Sequence, residues 1–84
     1  MKLKGYKKKV KIHDGHGYIY EFDNGFGASV VKHSGSYGSD KGLYEIAVLD
    51  SDGDLCYSTP ITDDVIGYAN EDKVLDTLHR IKSL

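Results

Sequence analysis

The sequence predicts an α+β fold: a four-stranded antiparallel meander sheet, with three to five strands as the range, and one C-terminal α-helix packed on one face. Three observations predict this class. Asn24-Gly25 lies between two β-prone runs, Asp52-Gly53 marks a second turn, and a helical period of apolar residues begins only after Asn70. The 84 residues contain no linker or low-complexity segment, so we expect a single domain over residues 1–84.

The first strand is predicted over Lys8 to His13, where lysine alternates with Val10 and Ile12 as on a strand with one wet face. Residues 1–7 precede it and are expected to form a flexible basic arm. The sequence DGHG, residues 14–17, is a turn signal that would join this strand to the next.

The central hairpin, Tyr18 to His33, carries the strongest local signal. Asn24-Gly25 is typical of a two-residue type I′ turn, in which both central residues have positive φ. Such a turn places Tyr20 opposite Ser29. One side of the hairpin would then be aromatic and the other small and aliphatic.

A Gly/Ser-rich loop follows at Ser34 to Gly42, with Tyr37 at its centre. Leu43 to Asp50 is predicted to be a central strand, because apolar residues occur on both of its faces. A three-residue turn with Gly53 in the left-handed conformation would set Leu49 opposite Leu55 at the start of a further strand. A two-residue Asp52-Gly53 turn would shift the pairs by one, and the three-residue turn is favoured because it pairs like residues.

Pro60 is predicted to end the strand that follows the second turn, because proline has no amide proton. Two elements are predicted after it. Thr62-Asp63-Asp64 would begin a short helical turn that Gly67 stops. The segment from Asn70 to Leu84 is predicted to be a helix, with a capping side chain, acids in its first turn and bases in its last. Its predicted apolar stripe consists of Val74, Leu75, Leu78 and Ile81.

Charge is distributed unevenly along the chain. Six lysines and no acid precede His13, which gives +6, so the remainder holds 13 acids against the other 5 bases and carries −8. The single cysteine, Cys56, cannot form an internal disulfide and is expected to be a buried small hydrophobe. With no apolar leader or membrane span in the sequence, we expect a soluble protein of the cytoplasm that does not bind membranes.

No catalytic or metal-binding motif is present. Asp50, Asp52 and Asp54 lack the glycine and glutamate spacing of an EF-hand loop, so ordinary turn chemistry explains them better. His13 and His16 could approach each other across their turn, but a zinc site would need further ligands. We therefore expect no enzyme, no cofactor and no metal.

The aromatic side of the predicted sheet has no assigned cover, because one helix covers only one face. A contiguous aromatic surface is typical of a protein interface, so these side chains are the candidate partner-binding residues. They are Tyr18, Tyr20, Phe22 and Tyr57 of the sheet, together with Tyr37 of the Gly/Ser-rich loop. The alternative arrangements are that the first strand, the arm and the long loop fold over this side, or that the two faces are reversed.

Nucleic-acid binding is the alternative function, with lysines on phosphates and sheet aromatics against bases. The lysines that would serve it are Lys4, Lys7, Lys8, Lys9 and Lys11. The acids Glu21 and Asp23 stand among the aromatics and count against it.

The strings YEFDNGFGASVV, SYG followed by GLYEIAVLD, and LCYSTPITDDVIGY resemble small accessory proteins encoded by tailed phages and prophages. The similarity covers residues 18–82 and ends at the lysine-rich arm. It brings no catalytic residues with it. It implies a small protein made in an infected bacterial cell, where such proteins often bind and inhibit a host or defence protein. The protein-binding hypothesis also includes an anti-CRISPR-like role and a homodimer.

Overall fold

The computed structural model describes residues 5–12, 14–36, 38–61 and 65–84, and it confirms the predicted α+β fold. Five strands lie side by side in chain order, each antiparallel to its neighbour. They are β1 (Lys8–Ile12), β2 (Gly15–Glu21), β3 (Gly27–Lys32), β4 (Tyr44–Leu49) and β5 (Ile66–Ala69), and the helix α1 (Glu71–Lys82) follows them.

The central hairpin forms, but its turn is one residue longer than predicted. The Phe22 amide donates to the Phe26 carbonyl oxygen at 2.8 Å, so the loop holds the three residues 23–25. Within that loop only Gly25 has a positive φ, at 88°. This geometry is typical of a type I turn followed by a bulge, which needs glycine at one position instead of two residues with positive φ.

The extra turn residue reverses the predicted faces of the sheet. Tyr20 pairs with Ala28 instead of Ser29. Because strand side chains alternate, Tyr18 and Tyr20 now share one face with Ala28 and Val30 of β3, while Ile19 lies on the other face. That face forms the core with α1, and its buried members are Tyr20, Ala28, Val30, Ile46, Val48, Ala69, Val74, Leu78 and Ile81. The prediction that the helix covers an aliphatic side and leaves an aromatic side open is therefore wrong.

The second turn has the predicted geometry. Gly53 has a φ of 83°, Leu49 pairs with Leu55, and the Cys56 amide donates to the Val48 carbonyl oxygen at 2.8 Å. The ladder stops there as an isolated bridge, so the predicted strand after this turn is not formed. Cys56 is half-buried and packs against the core.

The strand that completes the sheet beside β4 is β5, which was not predicted from the sequence. The predicted helical turn at Thr62 to Asp64 lies outside the described residues. Gly67, predicted to stop that turn, lies inside β5 instead. Pairing between β4 and β5 shifts register, and Tyr68 has a φ of 54° there, in the left-handed region.

Helix α1 agrees closely with the prediction. The side chain of Asn70 caps it by accepting the Lys73 amide at 2.8 Å. Leu75, predicted to belong to the buried stripe, is 38% exposed. Thr77 is fully buried in its place, and its hydroxyl donates to the Lys73 carbonyl oxygen at 2.7 Å. Leu84, at 36% exposure, does not extend the stripe.

Asn24 links the central turn to the C-terminal end of α1. Its side-chain oxygen accepts the Phe26 amide at 3.0 Å, within the turn. Its Nδ2 lies 2.9 Å from the carbonyl oxygen of Ile81, 3.0 Å from that of Lys82 and 3.2 Å from that of Leu84. Carbonyl groups at a helix end lack partners within the helix, so this amide supplies a cap from a distant part of the chain.

Part of the predicted flexible arm packs on the sheet. The Lys7 amide donates to the Ile19 carbonyl oxygen at 2.7 Å. The Tyr6 ring lies 5.0 Å from the Tyr18 ring and 6.3 Å from the Tyr20 ring, measured between centroids. The expectation of a loose arm therefore does not describe Tyr6 and Lys7, while residues 1–4 lie outside the described part of the chain.

Candidate functional site

The predicted aromatic binding residues do not form a common exposed surface. Tyr20 is only 3% exposed, and Tyr18 and Phe22 are half-buried against the core. Tyr57 is 48% exposed but follows the second turn, and Tyr37 lies outside the described residues. The predicted interface through Tyr20 and Phe22 is thus corrected, because the true register turns both side chains toward the helix.

The opposite face of the sheet is aliphatic, and we call it the open face. The side chain that a Cβ at Gly17 would meet first is Ile12, followed by those of Val10 and Val31, so these residues share this face. Strand alternation adds residues from β2, β3 and β4. The apolar and small residues of the open face are Val10, Ile12, Ile19, Ser29, Val31, Ala47 and Leu49. The charged residues Lys8, Glu21 and Glu45 belong to the same side by strand alternation.

In the described part of the chain, no helix packs on the open face. Helix α1 packs over β3, β4 and β5 on the other side, and the 3₁₀ turn Ser39–Lys41 buries none of its residues. The segment between Tyr57 and β5 sends Ile61 to the core on the helix side. Ala47 and Leu49 are buried, whereas Val10, Ile12, Ile19 and Val31 remain partly exposed.

A recess of about 190 Å³ lies at one end of the open face, between the two hairpin turns. Ile19 and Leu49 contribute to its apolar wall together with the aromatic side chains of Tyr20, Phe22 and Phe26. The carboxylate residues Glu21, Asp23 and Asp50 also line it. We call it the acidic recess. An apolar wall beside carboxylates suits the side chain of a lysine or arginine, whose stem is apolar and whose head is charged.

The lysines proposed for nucleic acid are divided between several environments. Lys4 lies outside the described residues. The Lys7 ammonium group forms an exposed ion pair with Glu21 at 2.8 Å. Lys8 pairs with Ile19 and so lies on the side of the open face, whereas Lys9 and Lys11 lie on the helix side.

Two further side chains, His16 and Lys32, join Lys9 and Lys11, although the sequence did not suggest either of them as a nucleic-acid contact. Lys11 pairs with His16, and His16 pairs with Lys32 on the next strand. Together Lys9, Lys11, His16 and Lys32 form what we call the basic row. Their separation in sequence gave no local signal, but the correct hairpin register would have placed His16 beside Lys32.

Two tyrosine rings lie within the basic row. The Lys9 ammonium nitrogen is 5.5 Å from the centroid of the Tyr18 ring, and that of Lys32 is 4.8 Å from the centroid of the Tyr44 ring. Both are within the range of cation–π attraction. Because α1 packs over β3 to β5, the β1 and β2 part of this face lies beside the helix.

Titration is perturbed at two groups near these surfaces. The Asp14 carboxylate accepts the Ser34 amide at 2.9 Å, and this hydrogen bond lowers the pKa of Asp14 below its ordinary value. Burial raises the pKa of the Tyr20 hydroxyl, and the neighbouring tyrosines Tyr18, Tyr6 and Tyr44 add to the effect.

The acids of the second turn also cluster. Carboxylate oxygens of Asp50, Asp52 and Asp54 lie within 4.8 Å of one another. The Asp50 Oδ1 atom accepts the amides of Asp52 and Asp54 at 2.9 and 3.0 Å, as an aspartate does in a tight turn. Turn geometry thus accounts for the arrangement. Of the predicted histidine pair, His13 lies outside the described residues.

Comparison of the chain with protein-family models, with curated proteins and with solved structures yields no match. No helix in the described part of the chain combines the length and the apolar character needed to cross a membrane.

Proposed function

We propose that this chain is a protein-binding module that acts by forming a stoichiometric complex through its open face. The observation that carries the proposal is the aliphatic sheet face on the side opposite α1, with Ile12, Ile19 and Val31 partly exposed. Apolar side chains grouped on one surface are typical of an interface, since their burial against a partner removes them from water.

The acidic recess gives the proposed partner a recognisable chemistry. A partner surface with an apolar centre and one lysine or arginine at its margin would fill both features. Desolvated charges at the centre of an interface cost free energy, so the cationic head belongs at the rim beside Asp23 and Asp50. The excess of acids after residue 12 would also favour encounter with a basic partner.

The resemblance to phage accessory proteins suggests the biological setting of this proposal. The partner would be a host or defence protein of the bacterial cytoplasm, and binding would inhibit it. A second copy of the chain is the other protein occupant to distinguish, because a sheet face can pack on its own symmetry mate.

Affinity capture from bacterial lysate with three immobilised baits tests the proposal. The baits are the wild-type chain, Ile19→Gln on the open face and Leu75→Gln on the exposed side of α1. We expect a protein retained in a fixed molar ratio by the wild type and by Leu75→Gln, and bound about tenfold more weakly by Ile19→Gln, since burial of an isoleucine is worth roughly 1.5 kcal/mol or more.

Sedimentation of the same three chains at increasing concentration distinguishes the homodimer. A dimer that Ile19→Gln weakens and Leu75→Gln preserves would identify a second copy as the occupant. The proposal fails if the wild type is monomeric and retains no protein in a fixed ratio, or if Ile19→Gln captures its partner as well as the wild type does.

A further inference from the structure

We propose that the basic row is a second binding site, for the phosphate backbone of single-stranded nucleic acid. It lies on the helix side of the sheet, opposite the open face, so it is independent of the protein-binding function proposed above. Four side chains from three consecutive strands form it, and the hydrogen-bonded register brings them together.

The spacing of the row suits a polyanion better than one small anion. Adjacent strands are about 4.8 Å apart, so the backbones of Lys11 and Lys32 are about 10 Å apart with His16 between them. Lys9 and Lys11, two residues apart on β1, are separated by about 7 Å. A chain of phosphodiesters presents repeated charges that can meet each cation in turn, whereas a single phosphate meets only some of them.

The two tyrosines favour nucleic acid over an acidic protein segment. Tyr18 and Tyr44 are partly exposed, and the ammonium groups of Lys9 and Lys32 lie over their rings. The Tyr6 ring also packs 5.0 Å from the Tyr18 ring, so a base would reach Tyr18 beside Tyr6. Base–aromatic stacking tolerates any base sequence, and a sheet that combines cations with aromatic rings is a common platform for single strands. An acidic peptide offers carboxylates to the lysines but no planar bases to the rings.

Acids limit where the strand would run. The row ends at a cleft of about 600 Å³ between the β1–β2 turn and the loop after β3, and Asp14 and Asp40 line it with His16 and Lys32. The Asp14 carboxylate is already hydrogen-bonded to the Ser34 amide. A phosphate chain would therefore follow Lys9, Lys11 and Lys32 and avoid the far side of this cleft, where Asp40 repels it.

Fluorescence anisotropy with a labelled single-stranded DNA oligonucleotide of mixed sequence tests the site. For the intact chain we expect affinity that falls steeply as salt rises. Lys11→Gln should weaken binding roughly three- to tenfold and reduce the magnitude of the log–log salt slope by about 0.7, the value for one lost phosphate contact on a single strand. Asp40→Asn should tighten binding.

Lys8→Gln is the matched control, because it removes the same charge from the same strand but on the opposite face. It should leave the affinity nearly unchanged. Unlabelled polyglutamate should compete poorly. The proposal is overturned if the wild type does not bind, if Lys8→Gln weakens binding as much as Lys11→Gln does, or if polyglutamate displaces the oligonucleotide as well as unlabelled DNA does.

Discussion

Tyr20 carries a hydroxyl group into the core, where it has no hydrogen-bond partner among the described residues. Its ring is well accommodated, with Phe22 at 6.1 Å and Tyr6 at 6.3 Å between centroids. A buried polar group without a partner costs roughly 1–3 kcal/mol of folding free energy. The ring therefore stabilises the fold while the hydroxyl opposes it.

Tyr20→Phe should accordingly leave the free energy of unfolding at pH 7 unchanged or raise it by about 1 kcal/mol. The substitution should also change how the free energy of unfolding depends on pH above pH 10. The folded chain keeps the Tyr20 proton more tightly than the unfolded chain, because its pKa is raised above the ordinary value of 10.0. The contribution of Tyr20 protonation to wild-type stability is thus complete below pH 10 and is lost as the pH rises above it. The phenylalanine variant lacks this contribution.

Urea unfolding monitored by circular dichroism between pH 7 and pH 11 measures both effects. Tyr57→Phe is the control, since its side chain is 48% exposed and its hydroxyl is available to water. A loss of more than about 1 kcal/mol in Tyr20→Phe at pH 7 would show that the hydroxyl has a partner and contradict the expectation.

Single residues also show where the helix prediction reached its limit. Leu75 and Thr77 are both compatible with an apolar stripe through Val74, Leu78 and Ile81, and hydropathy alone selects leucine. The structure buries Thr77 because its hydroxyl is satisfied by the helix's own Lys73 carbonyl. That local hydrogen bond removes the cost of burying threonine, so the direction of the stripe is set by packing rather than by the most apolar choice.

Among the elements, the central hairpin shows why a correct turn signal led to the wrong faces. The sequence identified the position of the turn, but Asn24-Gly25 fits both a two-residue turn and a three-residue turn ending in glycine. The choice differs by one residue, and a shift of one residue moves every side chain of a strand to the other face. At the second turn the three-residue alternative is favoured because it sets like residues opposite each other, and that register is confirmed.

Asn24 makes a tertiary contact from within the three-residue turn. Its amide nitrogen donates to carbonyl groups at the end of α1, and the first of these, Ile81, is 57 residues away in sequence. No local pattern could predict this contact. It makes Asn24 a structural link between two elements, and not only a residue that tolerates a tight turn.

Asn24→Asp separates these two roles. Aspartate is equally favoured in a turn before glycine and keeps an acceptor for the Phe26 amide. It lacks the donor, however, and places a negative charge at the negative end of the helix dipole. We expect it to lower the free energy of unfolding by roughly 1–2 kcal/mol, at least as much as Asn24→Ala does.

Chemical denaturation of the two variants and the wild type at pH 7 measures this ordering. Asp23→Asn is a suitable control, because it exchanges a carboxylate for an amide at the neighbouring exposed position of the same loop. If Asn24→Asp proves as stable as the wild type, the turn alone explains the residue and the link to α1 contributes nothing.

At the scale of the whole molecule, the sheet separates two kinds of surface that the sequence mixes. The lysines before His13 are contiguous in the chain, yet alternation along β1 sends Lys8 to one face and Lys9 and Lys11 to the other. Composition therefore predicted the excess of positive charge near the N-terminus but not its division. The open face could not be predicted from composition either, because it depends on the register of the central hairpin.

This separation predicts that the two proposed activities respond independently to glutamine substitutions on opposite faces. Ile19→Gln keeps the charge of the chain, so it should weaken protein capture or self-association about tenfold and leave oligonucleotide affinity within about twofold. Lys11→Gln should show the reverse, with weaker oligonucleotide binding and unchanged protein capture. Thermal unfolding of each variant verifies that both remain folded during these measurements. Strand side chains on the two faces share only the backbone between them. If Ile19→Gln loses oligonucleotide binding while still folded, one continuous surface serves both ligands. The assignment of the two activities to separate faces would then be wrong.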